Sequence, residues 1–120
     1  MTGGQSRPLI GGRPGMTQSL EDEFHEITIE FYKSAVSDCN YRAKAFLNMV
    51  IVGGAVETAK RLLSTEEIQA GMYDLYRCGR LDLTVEALMT ETAEGKFREL
   101  FEPRQLEEAE RRLEYFRSRS

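Results

Sequence analysis

Leu20, Phe24, Ile27, Phe31 and Ala35 recur at spacings of four, three, four and four residues, which places them on one face of a helix beginning near Ser19. Glu21, Asp22 and Glu23 occupy its first turn, where the helix dipole favours negative charge. A second helix is expected from Asn40 to the pair Gly53-Gly54, whose glycines suit a left-handed C-terminal turn. The segment "AVETAKRLL" then forms a short third helix.

Three later helix starts share one design, in which an apolar residue just before the cap packs on another five positions later. The pairs are Leu63 with Ile68, Leu83 with Leu88, and Phe101 with Leu106. The first also carries the capping-box pair Ser64 and Glu67, and the last places Pro103 at the first helical position, where its missing N–H does no harm. Within "GRLDLTVEALM", Gly79 ends one helix, Thr84 or Asp82 caps the next, and Asp82 is free to pair with Arg80. The final helix runs through Leu106, Ala109, Leu113 and Phe116, with Glu107–Arg111 and Glu108–Arg112 as supporting i,i+4 pairs on its wet side. No strand alternation interrupts this pattern, so the fold class is all-α: one domain of five or six short helices over residues 17–120.

Residues 1–16 hold five of the ten glycines and two of the three prolines, a composition that cannot bury enough apolar surface to offset its ordering entropy. We read them as a flexible, disordered leader. Its opening "MTGGQ" resembles part of a phage-capsid epitope tag from expression vectors, which makes Met16 a candidate start; a native disordered arm is the alternative. At 120 residues the chain can build a core without metal or disulfide staples. Cys39 and Cys78 follow no metal-ligand spacing and are expected as reduced thiols in a cytoplasmic protein, with a disulfide between them as the alternative. No apolar run is long enough to cross a bilayer, so no membrane partner is expected.

The chain offers little that chemistry could use. "FLNMVIVGGAVETAK" imitates the opening of a dinucleotide-binding fold, but G-x-G-x-x-G is absent, and the same residues describe a buried helix ending in a glycine turn. His25 is the only histidine; Glu21 and Asp22 share its face without completing a metal site, so it is expected as a solvated surface residue. A lone histidine removes most catalytic triads. We therefore expect no catalytic residue, no metal and no cofactor.

The segments Gly53 to Leu63, Gly79 to Leu88, and Leu100-Phe101 through Arg112-Leu113 resemble a family of small, mostly uncharacterised bacterial helical domains, the likeness spanning about Phe24 to Tyr115. The resemblance implies the helical fold and a setting among mobile elements or defence systems, and it brings no activity or functional residue. The Gly/Pro-rich leader and the tail "FRSRS" depart from it.

Five tyrosines are more than a small helical core needs, and tyrosine suits positions with one apolar and one wet end. We therefore expect a binding or regulatory module that docks on a protein through Met72, Tyr73, Tyr76 and Arg77, with Arg80 and Asp82 at the corner. The alternative is nucleic-acid binding through a stripe of Arg104, Arg111, Arg112, Arg117 and Arg119. Against that stand 20 acidic to 16 basic residues overall and a sequence pI of about 5.1. A homodimer is compatible with either expectation.

Overall fold

A computed structural model describes residues 18–65 and 68–119; the leader assigned to residues 1–16 lies outside them. The described chain is all helix: α1 (Leu20–Cys39), α2 (Lys44–Gly53), α3 (Ala55–Leu63), α4 (Ala70–Arg77), a 3-10 turn (Leu81–Leu83), α5 (Val85–Thr90), a 3-10 segment (Thr92–Leu100) and α6 (Pro103–Arg117).

Local chemistry explains most of these bounds. Ser19 caps α1 by accepting the Asp22 N–H at 3.0 Å, and Phe24 and Ala35 from its apolar face are buried. Asn40 closes α1 instead of opening α2. It takes the left-handed conformation that asparagine tolerates, and its N–H donates to the Val36 carbonyl. Gly79 does the same for α4 with φ +79°: its N–H reaches Tyr76 O and the Arg80 N–H reaches Leu75 O, the paired bonds of a Schellman ending. Thr84, and not Asp82, caps α5 by accepting the Ala87 N–H at 3.1 Å. Pro103 opens α6, where the Glu102 N–H donates to Gln105 Oε1 at 2.9 Å.

One expected helix start is overturned. Ser64 ends α3, its hydroxyl donating to Arg61 O, and α4 begins only at Ala70. Leu63 and Ile68 are no staple: Leu63 joins the main core, whereas Ile68 packs beside Met72 and Phe116. Glu67, the other half of the expected capping box, lies outside the described residues. The Leu62 and Thr65 carbonyls accept from Arg112, a partner nearly fifty residues away that no local pattern announces.

The main core gathers Phe24, Val50, Val56, Leu88, Met89, Phe97 and Phe101, with Phe24 edge-on to Phe97 and Phe101 at ring separations of 5.4 and 5.3 Å. α5 runs through the centre, every residue from Glu86 to Thr90 buried. A second cluster of Met72, Ala87, Leu113 and Phe116 joins α4, α5 and α6.

Two long-range contacts set the remaining geometry. The expected reduced thiols are instead a disulfide: Cys39 and Cys78, each at the end of a helix, lie 5.8 Å apart at Cα and are bonded. His25 is not simply solvated either. Half-buried on α1, its Nδ1 accepts the Ala55 N–H at 3.2 Å, supplying the cap that Gly54 lacks at the start of α3. Gly54 itself sits at φ 89°, ψ 155°, a conformation essentially restricted to glycine.

Two outcomes are expected. The disulfide joins cysteines 39 residues apart in sequence, so Cys39→Ser with Cys78→Ser should cost up to about 4 kcal/mol, read by urea denaturation with and without reductant. Reductant should destabilise the parent chain and leave the double variant unchanged. His25→Ala should cost about 1 kcal/mol in the same assay, the ordinary worth of a helix cap.

Candidate interaction surface

The residues nominated for docking divide between core, corner and surface. Met72 is buried in the second cluster, so it cannot be part of a docking face. Tyr73 and Tyr76 are half-buried against Phe116, each with a ring separation of 5.0 Å, and Tyr73 also meets Tyr115 edge-on. The hydrogen bond Tyr73 shares with Tyr115 raises the Tyr73 phenol above its ordinary value. Arg77 is exposed and pairs with Asp74 at 2.7 Å.

Arg80 and Asp82 belong to the corner. Arg80 grips Asp82 through two hydrogen bonds of 3.0 and 3.1 Å and reaches Asp38 at the end of α1. The guanidinium holds the Asp82 carboxyl below its usual range. This ion triad and the Cys39–Cys78 bond tie the same two helix ends together.

The expected arginine stripe is not assembled. Arg104 is exposed near the start of α6 beside an open polar groove, also lined by Lys60 and Arg111 but equally by Glu107 and Glu108. Arg111 pairs with Glu108 and not with Glu107, at 2.6 and 2.9 Å. Arg117 makes a two-pronged pair with Glu91 at 2.6 and 2.8 Å. Arg119 lies 3.6 Å over the Tyr115 ring. Arg112, expected on the wet side, is wholly buried and structural. It donates to Glu86 at 3.2 Å, to Glu108 at 2.7 Å, and to the carbonyls of Leu62 and Thr65.

The two carboxylates that face Arg112 are pushed in opposite directions. Hydrogen bonding from Arg111, then from Arg112, draws Glu108 down to about 2. Burial pushes Glu86 up, against the opposing pull of its own backbone N–H and Arg112.

The chain matches no protein family, no curated protein and no solved structure. Its surface must therefore speak through geometry, and the most unusual part is α2. That helix was expected to be buried, yet of its ten residues only Val50 is. Ile51 and Val52 are 65% and 79% exposed, and they are the exposed large hydrophobics of the described chain. Phe46, Leu47 and Met49 are half-buried, and no charged residue occurs between Lys44 and Glu57. A helix apolar on all sides normally lies inside a core, because water gives it no compensating polar face. The signal was present in "FLNMVIVGG", but apolarity alone does not separate a buried helix from one kept for a partner.

Behind α2 lies an apolar cavity of about 330 Å³, walled by α1, α2, α4 and the start of α5. Phe31, Phe46, Met49 and Leu75 supply much of its lining, and Tyr32 and Tyr41 bring phenols to it. Sequence reasoning missed this space, since its walls come from four separate segments. Among the described residues there is no group of three or more histidine, cysteine or acidic side chains that could hold a metal.

The Arg112 network generates two expectations. Arg112→Met should destabilise the fold by about 3–5 kcal/mol, because it strands the buried Glu86 carboxylate. Adding Glu86→Leu should recover much of that loss, as a double-mutant cycle would show. In acid, Glu108 is the sensitive member: its contribution is complete above the ordinary carboxylate value and is lost as pH falls from about 4.5 through about 2. Glu86 acts with the opposite sign, its raised value favouring the protonated fold. Denaturation curves between pH 5 and pH 2 should therefore fall less steeply in Glu108→Gln than in the parent chain.

Proposed function

We propose that this chain is a non-enzymatic docking module that offers α2 to an apolar surface of another protein. The observation that carries this reading is the exposure of Ile51 and Val52 on a helix without charged residues between Lys44 and Gly53. Exposed aliphatic surface of this kind is stabilised by covering it with other apolar surface, at about 25 cal/mol per Å² removed from water. A phosphate backbone would find no cation along Ala45 to Val56, so the chemistry favours protein over nucleic acid.

The arginines of α6 support the same choice. Three of the five nominated for nucleic-acid binding are engaged by Glu86, Glu91 and Glu108. Releasing them would sacrifice internal pairs, one of them fully buried. The half-exposed tyrosines Tyr73, Tyr76 and Tyr115 are a separate aromatic patch, already packed on Phe116 and therefore in less need of cover than α2.

The test is the paired substitution Ile51→Lys with Val52→Glu. Both positions are exposed, so thermal stability should change little, within about 0.5 kcal/mol. Capture of partner protein by the tagged chain should fall by an order of magnitude or more. If capture persisted while Tyr73→Ala with Tyr76→Ala abolished it, the docking face would lie on α4. Capture that required nucleic acid and vanished at high salt would overturn the protein reading. Sedimentation of the purified chain shows whether the partner is a second copy.

A further inference from the structure

We infer that the cavity behind α2 is a binding site for one neutral, largely apolar small molecule carrying a hydroxyl or carbonyl group at one end. The cavity, half-open to solvent, offers about 330 Å³, within the lower range of small-molecule pockets and far too little for a helix, whose diameter with side chains is about 10–12 Å. A dry cavity of about 150 Å³ accommodates benzene, so this one suits on the order of a dozen non-hydrogen atoms. Phe31, Phe46, Met49 and Leu75 line it from three helices, and Met49 adds a side chain that adjusts to irregular shapes.

The polar end is assigned by Tyr41. Its half-buried side chain lines the cavity, and its hydroxyl makes no hydrogen bond among the described residues. That hydroxyl sits against Gly71 in the first turn of α4, where any Cβ would collide with it, so the absence of a side chain there leaves the room the phenol occupies. A phenol on the cavity wall without a protein partner is free to donate to a ligand carbonyl or hydroxyl. The preference for a neutral ligand comes from the surrounding charge. The buried Glu86 stands in the wall with Arg112 at one of its oxygens. An anionic head group would enter an apolar site whose one charged lining residue is the acidic Glu86.

This site stands independently of the docking face, because its test needs only the purified chain. Methionine methyl groups are labelled with carbon-13, and 1-octanol is titrated in parallel with octanoate, which has the same chain and an anionic head. Octanol should shift the Met49 and Met72 resonances saturably, both residues lining the cavity, with little effect on Met1 and Met16. Octanoate should bind at least about tenfold more weakly. Tyr41→Phe keeps the ring and should weaken octanol about fivefold, the worth of one ordinary hydrogen bond. No saturable shift, or shifts spread equally over all methionines as in surfactant action, would overturn the site. Octanoate binding as tightly as octanol would overturn the neutral-ligand assignment, and an unchanged Tyr41→Phe would remove the phenol from it. Because the parent chain provides the first readout, the test does not depend on a variant that folds.

Discussion

A buried guanidinium holds this fold together. Arg112 projects from α6 into a space closed to water and spends its donors on four partners: the Glu86 carboxylate of α5, Glu108 on its own helix, and the carbonyls of Leu62 and Thr65 at the end of α3. Arginine suits that position because its planar fork serves several acceptors in fixed directions and remains charged. The carbonyls at a helix end otherwise need water or a cap, and Arg112 takes that role for α3. Removing the charge would leave Glu86 without its counter-ion in the interior, so α3, α5 and α6 depend on one side chain.

At the C-terminal end of α1 the chain uses covalent and ionic restraint in place of extensive burial. The Cys39–Cys78 bond and the Asp38–Arg80–Asp82 triad fasten the ends of α1 and α4, where a third, small cluster of Ala35, Leu75 and Leu83 is buried. α1 and α4 are thereby held beside each other while α2 lies across only part of the space they define. The cavity is what remains when two helix ends are fixed by links at the periphery instead of by side chains meeting in the middle. Tyr41, following directly after Asn40 in the turn from α1 to α2, enters that space because Gly71 leaves room for its hydroxyl.

The same arrangement explains the surface. α2 is held by Val50, by Phe46 against the core and by the turn at Gly54 into α3, which His25 caps from α1. Its other side faces water with Ala45, Ile51 and Val52 beside Asn48. A domain that already carries three apolar clusters and an α5 buried from Glu86 to Thr90 gains nothing structurally from exposing Ile51 and Val52. That imbalance is the physical basis for assigning recognition to α2 and for separating it from the tyrosines, whose rings are largely satisfied by Phe116.

By itself, the sequence determined what can be decided within a turn or two of helix. The apolar spacing of α1, the glycine ending at Gly79, the threonine cap at Thr84 and the Pro103 start of α6 all rest on contacts between residues at most five apart. Only the tertiary structure decided the rest. Arg112 is buried through partners 26, 47 and 50 residues away, His25 caps a helix 30 residues on, and the cysteines join across 39. It also closed α3 at Ser64, where the local signals favoured a helix start, because Arg112 takes the carbonyls that end it. The exposure of α2 belongs to the same group. A local pattern records that a residue is apolar, and whether it is covered depends on where distant segments are drawn by hydrogen bonds and charge.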